Sequence, residues 1–260
     1  MRNINLRQFL KIIKGEDLEF RISPFAFKLN EPAVIQDSHL PYDLNFQTCQ
    51  FESITFKNCR FSGNLEFVCS NTKNLSFDAC LLHNLEVMNT DISSFSIKNS
   101  HELREIIIKD SNIDELELEK NPIYETIHLG CGNNIRSCII TNNGVSDENS
   151  FSTKLFICPE RFEVIKIKNI TTDILHIGTF GQYSKLNVDD VKAEMVLIDG
   201  CSAELSNVSF KNVMPLDAEA SALHLVNTVF DQEIFNASAF QNYKTTKVHH
   251  QKVDVSALIA

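Results

Sequence analysis

The chain has 260 residues, of which 43% are hydrophobic and 22% charged, a composition typical of a folded globular protein and not of a disordered one. Its 24 basic and 34 acidic residues give a net charge of −10, which argues against a surface that follows the phosphates of nucleic acid. The N-terminus lacks the apolar core of a signal peptide and no stretch has the roughly 18 apolar residues of a membrane span, so we expect a cytoplasmic protein.

Residues 1–15 are predicted to form an N-terminal capping helix. Apolar residues of this segment recur at helical spacing: Leu6, Phe9, Leu10 and Ile13. Gly15 is a typical residue at the end of a helix. A stack of repeats leaves an open apolar end, so we expect the helix to cover the first coil. Segment 16–43 contains the strand-like runs LEFRIS and PFAF, which predict one or two irregular coils before the regular repeat.

A repeat of ten or eleven residues begins at Leu44. Pairs of apolar residues separated by one position recur at this interval: Leu44/Phe46, Ile54/Phe56, Leu65/Phe67, Leu75/Phe77, Leu85/Val87, Phe95/Ile97, Ile106/Ile108, Leu116/Leu118, Ile127/Leu129 and Cys138/Ile140. The series resumes further along the chain: Leu155/Ile157, Ile165/Ile167, Leu175/Ile177, Leu186/Val188, Val196/Ile198, Val208/Phe210 and Leu223/Leu225. This alternation predicts very short strands, because a helix does not keep alternating residues on one face.

The residues that follow the pairs predict sharp corners. Asn or Asp usually stands two positions after a pair: Asn58, Asn89, Asn99, Asp110, Asn142, Asn169, Asp190, Asn212 and Asn227. Both residue types tolerate left-handed backbone and can replace glycine, of which the chain has only 8. Two units then form one coil of about 20–22 residues, with ~4.8 Å between successive coils. The sequence therefore predicts about eight coils of a parallel β-helix, right-handed by the crossover rule.

One stretch carries a resemblance to a known family. The run Cys49-x-Phe51, Ile54-x-Phe56, Cys59-x-Phe61 places a large residue every five positions, with a second inward residue two before it. In this the chain resembles the pentapeptide-repeat-like β-helix proteins of bacteria, over roughly residues 44–230. The resemblance implies a scaffold or interaction module and little about activity. Later units have large residues where that family has small ones, which leaves the shape of the coil open: Leu75, Leu85, Ile106, Leu116 and Leu175.

We therefore predict a single-domain, all-β solenoid with short capping helices at both ends. The solenoid occupies residues 16–230, and the polar segment 141–153 interrupts the period as a loop insertion. Residues 231–260 lose the repeat and are predicted to form a C-terminal capping helix. Its apolar positions are Ile234, Phe235, Ala239, Phe240 and Tyr243. The ending SALIA has no helix-stop residue, which leaves open whether the chain continues.

Three histidines point to a candidate binding surface. Each lies between the two inward residues of its strand and should face outward, and they are 48 residues apart, hence two coils. The predicted outward column is Ile107, His128, Phe156, His176, Leu197 and His224. The column on the opposite face is mostly polar: Thr55, Ser76, Ser96, Glu117, Ile139, Lys166, Asn187 and Ser209. A contiguous apolar strip is typical of an interface with a protein partner or a second copy, unless a terminal helix or the loop covers it.

The cysteines and histidines are not arranged as metal ligands or catalytic groups. Cys49, Cys59, Cys69 and Cys80 recur at the ten- or eleven-residue repeat, so that alternate members could stack on one face. No histidines recur beside them, so we interpret them as small inward residues of a reduced protein, not as metal ligands. The histidine column is unsuited to zinc, because alternate coils are ~10 Å apart and zinc–ligand bonds are about 2 Å. We expect no catalytic residues, metal or cofactor.

Three functions remain in order of preference. The first is a non-enzymatic scaffold that presents one face to a protein partner or to its own copy. The second is a carbohydrate-active β-helix enzyme, which would need a polar groove with paired carboxylates. The third is an acidic mimic of DNA that inhibits a DNA-binding protein, which would need rows of carboxylates on one face, whereas only Glu66 and Glu86 are expected to stack.

Overall fold

The structure of the protein is a computed structural model. It describes residues 1–17, 19–20, 25–121, 123–130, 132–141, 154–178, 185–199, 202–215, 222–226, 228–230, 242–246 and 249–250. In these ranges the chain forms one helix and a parallel β-solenoid of about eight turns, which confirms the predicted all-β fold class.

The elements follow one another closely along the chain. Helix α1 spans Leu6–Ile13. The strands of the first half are β1 Arg2–Ile4, β2 Phe27–Leu29, β3 Ala33–Gln36, β4 His39–Leu40, β5 Leu44–Gln47, β6 Gln50–Lys57, β7 Arg60–Phe61, β8 Leu65–Val68, β9 Asn71–Asp78, β10 Asn84–Met88, β11 Asp91–Lys98 and β12 Leu103–Lys109. Those of the second half are β13 Asn112–Glu119, β14 Ile123–Leu129, β15 Asn134–Thr141, β16 Lys154–Ile157, β17 Arg161–Gly178, β18 Lys185–Asp199, β19 Ser202–Ser206, β20 Ser209–Pro215, β21 Ala222–Val226, β22 Val229–Phe230, β23 Asn242–Thr246 and β24 His249–His250.

Each strand pairs in parallel with the equivalent strand of the next coil, which gives the solenoid two long faces. Face A stacks β5, β8, β10, β12, β14, β16, the ends of β17 and β18, and β20. Face B stacks β3, β6, β9, β11, β13, β15, the starts of β17 and β18, β19, β21 and β23. The ten- or eleven-residue period therefore records one passage across each face.

The inward residues form a dry core, as the alternation predicts. Successive coils place identical or similar side chains on top of one another, so that the Phe56 and Phe77 rings stack 5.1 Å apart with an interplanar angle of 10°. The helix α1 adds Phe9 to this core, 5.8 Å from the ring of Phe51. Asn5 caps the helix through a bond from the Gln8 amide, and Gly15 follows with a φ of 69°. Phe9, Ile12 and Ile13 are buried.

The corners between the strands have left-handed backbone. Positive φ occurs at six of the predicted corner residues: Asn58, Asn89, Asn99, Asp110, Asn169 and Asp190. Asn212 lies instead inside β20, and the corner falls at Asn207, so this prediction is wrong. Asn142 and Asn227 lie outside the described residues. Thr48 and Lys120 also have positive φ, which shows that the coil imposes this conformation on residues that do not favour it.

The C-terminal part continues the solenoid further than predicted. Tyr243, which we assigned to a capping helix, lies in β23 and pairs with Leu223, so that assignment is wrong. The rest of the predicted helix at 231–241 and 251–260, and the insertion from residue 142 to 153, lie outside the described residues. The described part of the chain contains no helix with the length and apolar character needed to cross a membrane.

Candidate functional site

The register brings five of the six candidate residues into one outward column on face A. Ile107 pairs with His128, and His128 pairs with Phe156. Phe156 pairs with His176, and His176 with Leu197. The predicted order therefore holds across the insertion that ends at residue 153. The period resumes after it because the chain re-enters the same face with the apolar pair Leu155/Ile157.

The placement predicted for His224 is wrong, and so is that of Ser209. His224 pairs with Glu204 and belongs to face B, whereas Ser209 pairs with Lys192 on the side that connects the two faces. The face A position beyond Leu197 is occupied by Met214. The sequence predicts one pair, Val208/Phe210, between Leu197 and His224, but Phe210 pairs with Ala193 on the connecting side. The chain instead crosses face B at β19 and face A at the end of β20, and neither Ala203-x-Leu205 nor Val213-x-Pro215 stands out as an apolar pair.

The centre of the column is a stack of three rings. The Phe156 ring lies between the two imidazoles, 5.7 Å from the centroid of each. The angle between the ring planes is 59° with His128 and 78° with His176. All three side chains are half-buried, since each covers its neighbours in the adjacent coils. The stack holds an outward phenylalanine in one position without burying it in the core.

Neighbouring positions widen the column into an apolar surface that is larger than the one predicted from the sequence. Ile174 pairs with Met195 beside the central column, and both side chains are half-buried. Met214 is 39% exposed at the C-terminal end of the column. We define the apolar patch by these residues together with the column: Ile107, Phe156, Ile174, Met195, Leu197 and Met214. Ile174 and Met195 each stand directly before an inward pair, so the sequence pattern contains a signal for this second outward column.

Small residues lie on the other side of the central column, so that no large side chain projects there. Gly130, Cys158 and Gly178 occupy consecutive coils there, and all three are buried. A β-carbon at Gly178 would lie 3.0 Å from Cβ of Asp199 and 3.3 Å from Sγ of Cys158, so a larger residue would crowd both. The central rings therefore stand above this flank, where another molecule can reach them.

Burial sets the electrostatics of the two histidines. It lowers the pKa of His128, and the nearby Lys109 lowers it further while Glu105 opposes the change. Burial also lowers the pKa of His176, against the attraction of Asp199, whose Oδ2 lies 3.9 Å from Nε2. Since both pKa values fall below the usual 6.5, the two histidines between the patch residues of the column are neutral at pH 7.

The N-terminal half of the same column is acidic. Asn45, Glu66 and Glu86 are in register with one another, and Glu86 pairs with Ile107 at the start of the patch. The amide of Asn45 donates a 2.6 Å hydrogen bond to Oε2 of Glu66. Burial, together with the charges of Glu86 and Asp43, raises the pKa of Glu66. The stacking of Glu66 on Glu86 agrees with the sequence-based expectation.

Face B differs from face A in that several of its acidic side chains form ion pairs with lysines. Nζ of Lys98 lies 2.6 Å from Glu117, and Nζ of Lys168 lies 3.3 Å from Asp189. The predicted polar column is in register from Thr55 to Asn187. This face therefore presents a mostly polar surface that carries charges of both signs.

A polar groove of about 560 Å³ runs along the solenoid axis where β2, β6, β9, β11 and β13 stack. Lys73 donates a 2.7 Å bond to Glu52 on one wall, and Asn112 donates a 2.7 Å bond to Asp91 on the other. Leu29, Phe51 and Ile92 lie along its floor but are buried, so the groove offers mainly polar contacts.

The cysteines agree with the interpretation as core residues in three of the four ladder positions. Cys49, Cys59 and Cys80 are at most 1% exposed. Cys69 is exposed at a left-handed corner, and Ser70 takes the inward position, so the expectation for Cys69 is wrong. Among the residues that the structure describes, no three His, Cys, Asp or Glu side chains are grouped to hold a metal ion.

Comparisons with protein-family models, with curated proteins and with solved structures find no match to this chain. What the protein does must therefore be inferred from its surfaces, and the apolar patch is the surface least expected on an isolated solenoid.

Proposed function

We propose that the protein is a non-enzymatic, cytoplasmic β-helix module that binds another polypeptide chain, a protein partner or a second copy, through the apolar patch on face A. The observation that carries the proposal is the continuous column from Ile107 to Met214, which is outward-facing and apolar apart from two neutral histidines. The resemblance to pentapeptide-repeat-like scaffolds supports the same reading.

The energetics favour a covered patch. Complete burial of a large apolar side chain is worth about 1.5–3 kcal/mol, and Phe156, Leu197 and Met214 retain exposed surface in the isolated chain. Single exposed apolar residues are common on soluble proteins, but a contiguous set on one flat sheet is typical of an interface. The central ring stack also reduces the side-chain entropy that binding would otherwise cost.

The test is a charge placed in the patch. We expect Phe156→Asp combined with Leu197→Asp to abolish association, measured by mass in solution and by capture of the bound chain. Thr55→Asp with Asn187→Asp adds the same charge to face B and should leave association unchanged. Circular dichroism verifies that both variants fold. Unchanged mass and capture in the folded patch variant would contradict the proposal.

The carbohydrate-active alternative would use the axial groove. Its carboxylates include Glu52, Asp91 and Asp114. Lys73 engages Glu52 and Asn112 engages Asp91, which favours structural roles for these two groups over proton transfer. Hydrolysis or lyase activity on a panel of polysaccharides, lost in Asp114→Asn, would support this alternative.

The DNA-mimic alternative would need one face with unpaired carboxylates at regular spacing. On face A the run is short, because Ile107 follows Glu86 in the column. On face B lysines accompany the acids, as with Lys98 and Glu117. The surface charge therefore favours a protein interface over mimicry of a phosphate backbone.

A further inference from the structure

The acidic half of the face A column indicates the chemistry of the chain that covers the patch. We infer that the partner is a different protein that lays an amphipathic segment along the solenoid axis, with basic residues over Glu66 and Glu86 and apolar residues over the patch. This inference rests on the proposed function and adds the chemistry of the partner.

The acidic pair and the apolar patch form one continuous surface. Glu66, Glu86 and Ile107 occupy consecutive positions of one column, so the acidic pair and the patch belong to the same flat surface. From Glu66 to Met214 the column has seven steps between coils, which is about 34 Å at ~4.8 Å per step. A helix of about 22 residues has that length.

The carboxylates of Glu66 and Glu86 lack a nearby cation among the described residues. In the described part of the chain neither Glu66 nor Glu86 has an ion-pair partner within 4.0 Å, and their carboxylates repel one another across the ladder. On face B, Glu117 has Lys98 as its partner in the neighbouring coil. Like charges directly opposite one another destabilise a sheet, and a cation supplied from outside would remove that cost.

A second copy of the chain fits face A less well than a basic partner does. Two copies packed in the same direction would place Glu66 and Glu86 against their own equivalents. Two copies packed in opposite directions and centred on the patch would leave the acidic pair beyond Met214 of the other copy, outside the contact between the two patches. A net charge of −10 on each chain adds to the repulsion. A basic partner satisfies both halves of the column.

The experiment uses two synthetic 22-residue amphipathic helices with a leucine stripe. One carries lysines in the last two turns of the stripe and the other carries glutamates there. Binding to the full chain is measured by fluorescence anisotropy. We expect the lysine peptide to bind about fivefold more tightly than the glutamate peptide, as two exposed charge pairs would give.

Three double variants separate the possible causes. Glu66→Gln with Glu86→Gln should abolish the preference for lysine, whereas Glu115→Gln with Glu117→Gln, which removes the same charge from face B, should preserve it. Phe156→Ser with Leu197→Ser should abolish binding of both peptides. Equal loss of the preference in the two Glu→Gln variants would show a response to net charge and overturn the inference.

Three further outcomes overturn the inference in distinguishable ways. If the patch variant loses binding but Glu66→Gln with Glu86→Gln keeps the lysine preference, the proposed function stands and the basic end of the partner is wrong. If the patch variant binds both peptides like the wild type, the proposed function fails as well. A dimer in sedimentation that excess lysine peptide does not dissociate would show that a second copy occupies face A.

Discussion

The imidazole of His176 meets the ring of Phe156 edge to face, with 5.7 Å between the centroids. An outward histidine at this position of a parallel sheet would ordinarily be hydrated. Here the ring contact and the neighbouring coils shield it, and the pKa of His176 is lowered as a result. The contact thus links the acid sensitivity of the fold to the apolar patch.

The first prediction is that the protein loses stability as the pH falls from 7 to 5. The pKa values of His128 and His176 are lower in the folded chain than in the unfolded chain, so the unfolded state binds protons first. Stability is full above the unfolded value of about 6.5 and falls below it until the folded histidines also titrate. Lys109 strengthens the effect at His128, while Glu105 and Asp199 reduce it.

The measurement is the urea midpoint between pH 5 and 8. His128→Gln with His176→Gln should flatten the profile in this range, and His39→Gln, at an exposed position outside the patch, should not. If the double variant shows the same slope as the wild type, the acid sensitivity comes from other groups.

The solenoid could be predicted from the sequence because its period repeats through many coils. An error in one unit does not disturb the rest, so the column from Ile107 to Leu197 was correct despite the insertion before Phe156. The period fails between Leu197 and His224, because two passages across the faces, β19 and the end of β20, were replaced by the single pair Val208/Phe210. The count is then short by one unit, which moves His224 to the opposite face. A pair that contains alanine or proline, such as Ala203-x-Leu205 or Val213-x-Pro215, does not mark a short strand by pattern alone.

The width of the candidate site was harder to predict, because it depends on three adjacent columns. Periodicity identifies inward residues, but the outward residues are constrained only by their neighbours in space. Met195 and Met214 become one surface with Phe156 only after the register of β18 and β20 is known. The corner at Lys120 shows the same limit, since the coil determines its left-handed backbone and its side chain does not.

The second prediction concerns the thiols. Cys59 and Cys80 lie in adjacent coils, and each thiol donates to a backbone carbonyl of the preceding coil, that of Ile35 or Phe56. The neighbouring Cys59 thiol, together with burial, raises the pKa of Cys80. Burial also raises the pKa of Cys49 to about 11. The pKa of Cys59 is instead lowered to about 7, so its protection depends on burial alone. Because all three thiols are at most 1% exposed, a bulky disulfide reagent should modify Cys69 rapidly in the native state and these three only after unfolding.

Peptide mapping by mass spectrometry after short labelling would distinguish the individual thiols. Rapid native modification of Cys59 or Cys80, or stoichiometric zinc in the purified protein, would show that these thiols are not core residues.

The third prediction concerns the buried polar ladder at one corner. Oδ1 of Asn133 accepts a 2.9 Å bond from the Ser111 amide, and its Nδ2 donates a 2.6 Å bond to the carbonyl of Ile108. Asn133 is fully buried. Asn133→Ala removes the acceptor of the Ser111 amide, while the Ile108 carbonyl keeps its bond from the Gly130 amide. The change should lower the free energy of unfolding by about 2 kcal/mol.

The neighbouring Asn134 provides the control. It is exposed and donates a 2.8 Å bond to Asn112, so Asn134→Ala should cost less than about 1 kcal/mol. Equal urea midpoints for the two variants would mean that the ladder contributes little to stability.

The last prediction is that α1 prevents aggregation by covering the end of the solenoid. Removal of residues 1–14 should make the protein aggregate, because it uncovers the core and also removes β1, which pairs with β2.

Phe9→Asp tests the helix alone, since it keeps β1 but places a charge against Phe27 and Phe46, whose ring centroids lie 6.0 and 6.1 Å from that of Phe9. Arg7→Asp, on the exposed side of the same helix, is the control and should leave the protein monomeric. Size-exclusion chromatography with light scattering measures the outcome. A truncated chain and a Phe9→Asp chain that both remain monomeric and as stable as the wild type would show that the solenoid needs no cap at this end.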